Sequence, residues 1–195
     1  MKTLSFLILS YALSLGVRAA EPFSLRAGDR VVFLGDTLIE RASAHGYLET
    51  ALTIAFPESQ ATFRNLGWSA DRVDGESRAS FDHLRPEKGW PHLLRHVREA
   101  EPTVVFLGYG MAHSFDGADG LDAFRADYER LIESLRKEVG AELRFVFLSP
   151  IPHERKPSPL PDPDPHNRHL AAYTRVIRDV ASKFDSPFVD LCEGL

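Results

Sequence analysis

Cysteine is almost absent from this 195-residue sequence, which contains only Cys192. A chain with one cysteine forms no internal disulfide, and it has neither a paired-cysteine metal motif nor a haem-attachment motif. Basic residues are in the minority, with 23 Lys and Arg against 28 Asp and Glu and a formal net charge of −5. Nucleic acids and anionic membrane surfaces favour basic proteins, so this balance argues against both. The fold must therefore rely on its hydrophobic core, and we expect Cys192 to be a buried, inert thiol.

Long apolar runs are lacking beyond the first twenty residues. Lys2 precedes the mostly apolar stretch Leu4–Val17, and small side chains surround Ala19. This pattern is typical of a secretory signal peptide over residues 1–20, with the mature chain beginning at Ala20 or Glu21. The sequence thus predicts an exported protein, periplasmic or secreted, that has no membrane attachment after cleavage. An uncleaved N-terminal anchor is the alternative.

The remaining residues, 21–195, are predicted to form a single domain. The composition, 44% hydrophobic and 26% charged, is that of a globular chain. Five apolar strand candidates alternate with helical stripes, and the strand candidates are Val31–Leu34, Ala61–Leu66, Thr103–Leu107, Leu143–Leu148 and Phe188–Leu191. The helical stripes are Leu38–Ala55 (ended by Pro57), Trp90–Val97, Leu121–Leu135 and Leu170–Val180. This alternation predicts an α/β fold: a doubly wound, flavodoxin-like three-layer sandwich around a five-stranded parallel sheet of order 2-1-3-4-5.

The stretch from Val31 to Thr37 is the centre of the functional prediction. A buried parallel strand runs directly into Gly35-Asp36-Thr37, and a helical pattern begins at Leu38. Open α/β sheets place their sites at the carboxyl ends of the strands, where backbone N–H groups can stabilise an oxyanion. Thr37 is therefore the candidate nucleophile, and Asp36 beside it is a second candidate catalytic residue. The alternative is that Asp36 or Thr37 only caps the helix.

Two further strand ends should meet the first one at the same edge of the sheet. The second strand leads into Asn65–Asp71, and the third leads into Gly108–Ser114. Glycine at each strand end permits the backbone to approach a ligand closely, although a simple turn would also require it. Trp68 in the second loop could stack on a sugar ring or pack against the first helix.

These blocks resemble the SGNH, or GDSL-type, hydrolase family of esterases and acylhydrolases. Gly35-Asp36-Thr37 matches the Gly-Asp-Ser block of the family, with threonine at the position of the nucleophilic serine, and Asn65-Leu66-Gly67 matches the Asn-x-Gly block. The resemblance covers the chain from Arg30 to about Leu191. It implies a flavodoxin-like fold, with Thr37 as the nucleophile and the N–H of Gly67 as an oxyanion donor.

The chain departs from the family pattern in its third and fourth blocks. Gly110 stands where the family carries an asparagine, followed by Ala112 and His113, so one side-chain oxyanion donor is missing. The backbone of Gly110 is the candidate oxyanion group at this position. No Asp-x-x-His block follows Asp190. Without a base, a hydroxyl is a poor nucleophile. We therefore expect the catalytic set to be degenerate or incomplete and the domain to be incomplete at its C-terminus.

Histidines of the proline-rich segment Pro150–Pro165 could replace the missing base. His153 follows the fourth strand and His166 follows the proline-rich segment, with Glu154, Asp162 and Asp164 between them. A solvated loop is the main interpretation, and catalysis or a mixed oxygen and nitrogen metal site are the alternatives. Because the spacing fits no standard metal motif, we predict no metal and no cofactor. His113 could donate to an oxyanion or be a polar loop residue.

Three functions remain open on the sequence. The first is an exported ester hydrolase, of the esterase/acylhydrolase or carbohydrate deacetylase class, that acts on a small-molecule or glycan ester. The second is a catalytically silent module that binds a glycan or acyl ligand. The third is an N-terminal structural module of a larger exported haem-binding protein. It follows from Gly35-Asp36-Thr37, Arg64–Ser69 and Leu107–Gly110, which resemble a planctomycete-type subset in which the domain often opens a larger exported protein, sometimes with haem-binding modules downstream. In that case this chain would be the front part of a longer product.

Overall fold

The computed structural model describes residues 23–79 and 84–192. The predicted signal peptide and the last residues before Leu195 lie outside this part of the chain.

The five predicted strands form one parallel sheet. Its order is β2-β1-β3-β4-β5, as the sequence predicts. The strands are β1 (Arg30–Gly35), β2 (Thr62–Asn65), β3 (Val104–Gly108), β4 (Arg144–Leu148) and β5 (Phe188–Val189). Gly35 of β1 pairs in register with Gly108 of β3, so two of the three functional loops leave the sheet side by side.

Five α-helices flank the sheet. They are α1 (Thr37–Ala42), α2 (Tyr47–Ala55), α3 (Gly89–Glu99), α4 (Leu121–Val139) and α5 (Asp164–Lys183). The prediction of one helix over Leu38–Ala55 was wrong, because the chain breaks between α1 and α2. Ser43 closes α1 by donating its hydroxyl to the Glu40 carbonyl (2.6 Å), and Gly46 adopts the left-handed φ of 63° that glycine tolerates.

The alternating side chains of the strands build a separate core on each face of the sheet. Val32 and Leu34 of β1 point to one face, where they pack with buried residues of α3, α4 and α5. Val31 and Phe33 point to the other face, where buried Ile39 of α1 and the partly buried apolar residues of α2 cover them. Two covered faces explain why the strands read as continuous apolar runs.

Long loops leave the carboxyl edge of the sheet. The loop after β3 forms the 3-10 segment His113–Gly120, and the proline-rich loop after β4 ends at Pro163, because Asp164 and Pro165 already belong to α5. Cys192 is only partly buried, with its thiol 3.1 Å from the Pro150 carbonyl oxygen. No helix within the described ranges combines the length and apolarity needed to cross a bilayer.

Candidate active site

Asp36 connects the loops that follow β1 and β3. Its backbone N–H donates to the Gly108 carbonyl (2.9 Å). One carboxylate oxygen accepts the Leu38 N–H (3.3 Å) and caps α1, and the other accepts the Met111 N–H (3.1 Å). The capping interpretation of Asp36 is thus confirmed, and the same side chain also fixes the third loop beside the first.

Burial raises the pKa of Asp36 to about 6, although the Leu38 and Met111 N–H groups favour its charged form. The side chain is only 3% exposed. Both of its oxygens accept backbone N–H groups, so this carboxylate positions the two loops.

The Thr37 hydroxyl faces the loop that follows β2. Its Oγ1 accepts the backbone N–H of Ala70 at 2.8 Å. Ala70 has a φ of 56°, which residues with a Cβ seldom adopt, and this conformation belongs to the turn that carries the N–H to Thr37. The site therefore places a backbone N–H donor against the Thr37 hydroxyl at the carboxyl edge of the sheet.

Asn65 and Gly67 lock the second loop against α1. The Asn65 amide donates to the Ile39 carbonyl (2.7 Å) and accepts the Gly67 N–H (2.8 Å). A Cβ on Gly67 would lie 2.3 Å from the backbone nitrogen of Glu40, so only glycine permits this approach. Since the Gly67 N–H is engaged by Asn65, the donor that reaches Thr37 is that of Ala70, and the oxyanion role of Gly67 stays a prediction.

A buried ion pair between Arg78 and Asp71 stabilises the loop that follows β2. Arg78 lies 2.6 Å from the Asp71 carboxylate and also donates to the Leu66 carbonyl (2.7 Å). Ser77 and the Tyr109 hydroxyl complete the shell of Asp71 at 2.5 and 3.1 Å. Burial raises the pKa of Asp71, while the charge of Arg78 opposes that shift. The network ties the residue that follows Ala70 to the end of β3.

Gly110, the residue at the asparagine position, is buried where the chain turns away from β3. Its φ is 126°, and its carbonyl accepts the Ser114 N–H (2.9 Å). A Cβ there would touch Ile177 at 3.3 Å. Gly110 therefore shapes the turn, and its predicted oxyanion role stays untested.

The two predicted base candidates bond each other, and His166 also bonds Ser114. His153 Nε2 is 2.7 Å from His166 Nδ1, and His166 Nε2 is 2.8 Å from Ser114 Oγ. Both ring nitrogens of His166 are thereby occupied. Within the described residues Thr37 Oγ1 has the Ala70 N–H as its hydrogen-bond partner, and no imidazole bonds to it.

The carboxylates of the proline-rich loop form ion pairs. Arg155 bridges Asp162 (3.0 Å) and Asp164 (2.6 Å), and Glu154 pairs with Lys156. Across residues 23–79 and 84–192, no group of three or more His, Cys, Asp or Glu side chains is arranged to hold a metal ion.

His113 is a core residue. The sequence predicted either an oxyanion donor or a polar loop residue at this position. Its side chain is 2% exposed, and its ring lies 4.7 Å from the Phe124 ring. Neither ring nitrogen has a hydrogen-bond partner. Burial, reinforced by the charge of Arg72, lowers the pKa of His113 to about 4, so the ring is neutral at pH 7.

Sequence reasoning missed Ala70 and Arg78. Ala70 carries no chemical signal of its own, because it acts through its backbone and a left-handed φ. Arg78 stands seven residues from Asp71, and no periodic pattern links the two. The one available signal was Asp71 itself, a carboxylate at the end of a loop that otherwise matches a catalytic block.

The parallel sheet of order 2-1-3-4-5, with a hydroxyl at the end of β1, has the architecture of the SGNH-hydrolase fold. The chain belongs to the GDSL-like lipase/acylhydrolase family, whose sequence profile matches residues 31–195. The resemblance drawn from the motifs is thus confirmed. No curated protein matches the sequence.

Solved structures share this fold at low sequence identity. A gut microbial diltiazem-metabolizing enzyme aligns with 90% of this chain at 17% identity and a TM-score of 0.63, and the chain spans only 40% of that protein. An acetyl xylan esterase aligns with 85% of this chain and 78% of its own length (19% identity, TM-score 0.58). A GDSL-like lipase from Bacteroides thetaiotaomicron aligns with 83% of this chain and 68% of its own length (17% identity, TM-score 0.52).

Proposed function

We propose that this chain is an exported ester-hydrolase domain of the GDSL type with a reduced catalytic set. The observation that carries the proposal is the 2.8 Å contact between the Ala70 N–H and Thr37 Oγ1 at the carboxyl edge of the sheet. Attack of this hydroxyl on an ester carbonyl would form a tetrahedral oxyanion, which is stabilised by donors aimed at the new oxygen. The Ala70 N–H bonds Thr37 Oγ1 in the resting site and would have to turn to the oxyanion to serve as such a donor. Collapse of the oxyanion would release the alcohol and leave an acyl-threonine, which water would hydrolyse.

The reaction also needs a group that accepts the hydroxyl proton. Within the described part of the chain, the imidazoles of His153 and His166 bond each other and Ser114, and His113 is buried. The additional methyl of Thr37 restricts its χ1 and crowds the attack. Hydrolysis by this chain is therefore expected to be slow or undetectable.

A small acetyl ester, on a glycan or a simple alcohol, is the proposed substrate class. An acetyl xylan esterase among the proteins of similar fold is consistent with a carbohydrate ester. Trp68, 42% exposed on the loop that supplies Ala70, offers a ring face on which a sugar could stack.

A non-catalytic module that binds the same ligand is the second candidate. It is favoured by the exposed rings of Trp68 and Phe115 on the two loops that flank Thr37. Binding without turnover of acetylated oligosaccharides, unchanged in Thr37→Ala, would identify this function.

The catalytic proposal is tested by comparing the wild type with Thr37→Ala and Thr37→Ser on p-nitrophenyl acetate. A slow wild-type rate that falls to the uncatalysed rate in Thr37→Ala would support the hydrolase, whereas equal uncatalysed rates in all three proteins would favour the non-catalytic module. A high wild-type rate that Thr37→Ala abolishes would contradict the reduced catalytic set.

Export is a separate part of the proposal, supported by the pattern of residues 1–20. N-terminal sequencing of protein from the native host should find a chain that begins at Ala20 or Glu21. Recovery of protein that retains Met1 would contradict export with cleavage.

A further inference from the structure

A continuous row of hydrogen bonds joins the loop after β4 to the loop after β3. Ser114 Oγ donates to the Met111 carbonyl at 2.6 Å. His166 Nε2 lies 2.8 Å from Ser114 Oγ, and His166 Nδ1 lies 2.7 Å from His153 Nε2. Ser114 is fully buried, His166 is half-buried and His153 is exposed, so the row runs from the interior to solvent.

The acceptor at the inner end fixes where each proton lies. The Met111 carbonyl can only accept, so the Ser114 hydroxyl proton points to it and Ser114 Oγ accepts from His166. His166 therefore carries its proton on Nε2, and its Nδ1 offers a lone pair. The neutral His153 donates its Nε2 proton to that lone pair.

The contact between the two rings responds to protonation in two stages. One added proton is accommodated, because His166 can donate from Nδ1 while His153 moves its own proton to Nδ1 and accepts at Nε2. A second added proton leaves two N–H donors and two positive charges facing each other, and the bond is lost.

Burial and the two neighbouring histidines oppose protonation of His166. His169 on the same helix has its ring 6.2 Å away, and His153 faces it from the loop. The segment after β3 contributes the uncharged Ser114 and Phe115, whose ring centroid is 4.1 Å from that of His166. Burial first, and then the charges of His153 and His169, lower the pKa of His166.

Two hydrogen bonds between the His153 backbone and the Asn167 side chain also attach the proline-rich loop to α5. The backbone N–H of His153 donates to the Asn167 side-chain oxygen (2.8 Å), and its carbonyl accepts from the Asn167 amide (3.0 Å). Residues 153–162 are all exposed, and Arg155 adds a solvent-exposed ion pair to Asp164. Exposed pairs contribute little, so the attachment of the loop to α5 is concentrated at His153.

We propose that His153 and His166 form a proton-operated latch, which holds the loop after β4 against α5 and releases it when both rings carry a proton. The loop follows β4, whose carboxyl end lies on the same edge of the sheet as Thr37, so release changes access to that edge. The latch rests on the histidine geometry alone and does not depend on hydrolase activity.

The experiment follows the full chain by NMR between pH 7.5 and pH 5. Histidine nitrogen shifts should show the Nε2–H form of His166 at high pH and a coupled, two-step titration of the pair. Exchange of the His153 amide, corrected for its intrinsic pH dependence, should rise about tenfold as the pH falls, the equilibrium equivalent of one lost hydrogen bond.

Two variants separate the latch from a passive contact. His153→Gln and His166→Gln keep an amide at the junction but do not titrate, so exchange of the residue 153 amide should change less than about twofold across the same range. His45→Gln, at an exposed position on the opposite side of the sheet, should keep the wild-type profile. Independent one-step titrations of the two histidines, a wild-type exchange rate that does not change with pH, or a tenfold rise that persists in both glutamine variants would overturn the latch.

Discussion

Replacing His113 with leucine should stabilise this protein, and the gain should increase in acid. His113 is buried against Phe124, with no hydrogen-bond partner at either ring nitrogen. A buried polar group without a partner costs about 1–3 kcal/mol, and leucine has a similar volume and no polar atoms. Loss of the ring contact with Phe124 offsets up to about 1 kcal/mol. We expect His113→Leu to raise the free energy of unfolding by about 1 kcal/mol at pH 7.

The pH dependence follows from the direction of the pKa shift. The pKa of His113 falls from 6.5 to about 4 on folding, so the unfolded chain binds the proton more readily. Stability is therefore lost as the pH falls below the unfolded pKa of 6.5 towards the folded value. Between pH 7 and pH 5 this linkage removes about 2 kcal/mol from the wild type and nothing from the leucine variant. The difference between the two proteins should thus reach about 3 kcal/mol at pH 5.

Urea denaturation at pH 7 and pH 5, followed by circular dichroism, measures both quantities. Comparing the two proteins at each pH cancels the contributions of other titrating groups, such as Asp36. His45→Leu, at an exposed position, is the control and should change stability by less than about 0.5 kcal/mol. A leucine variant that is less stable than the wild type, or a difference that does not grow in acid, would refute the reasoning.

The remaining predictions concern the loop that carries Ala70. Arg78→Met leaves the buried charge of Asp71 unpaired and should lower the free energy of unfolding by about 3–5 kcal/mol in urea melts, with the exposed Arg95→Met as a control near zero. Gly67→Ala forces a Cβ into the α1 backbone and should lower the midpoint of thermal unfolding by several degrees, whereas an unchanged midpoint would show that the close approach is not required. Ala70→Gly relieves a left-handed φ and should leave stability unchanged or raise it by up to about 1 kcal/mol, while a loss of stability would contradict the assigned conformation.

The sheet was predictable because its three central strands, β1, β3 and β4, are buried on both faces. Val31–Leu34 and the four other apolar runs alternate with helical stripes, and this pattern leaves few topologies once crossovers are right-handed. The break between α1 and α2 was missed because the apolar spacing of Leu38, Leu48 and Leu52 continues across it. Apolar periodicity does not reveal a single glycine in a left-handed conformation, and Gly46 has that conformation at the point where α2 begins.

The site was predictable where side chains carry the chemistry and unpredictable where the backbone does. Asp36 and Thr37 stand at a strand end, so their position followed from the topology. The contact of Ala70 with Thr37 depends on the turn conformation, and the pairing of His166 with Ser114 depends on how α5 packs against the loop after β3. Both are tertiary arrangements, and spacing along the chain does not determine them.

The central claim is that Thr37 is the nucleophile of an ester-hydrolase site beside the Ala70 N–H, and that none of the described residues serves as its general base. Free imidazole can supply that base, so hydrolysis of an unactivated acetyl ester should be measured with increasing imidazole for the wild type, Thr37→Ser and Thr37→Ala. Imidazole should raise the Thr37→Ser rate at least about tenfold above the Thr37→Ala rate, a small part of the factor that a positioned base supplies. The wild type should lie between the two, because its methyl group crowds the attack. Identical imidazole dependence in all three proteins, or a high Thr37-dependent rate without imidazole, would contradict the account.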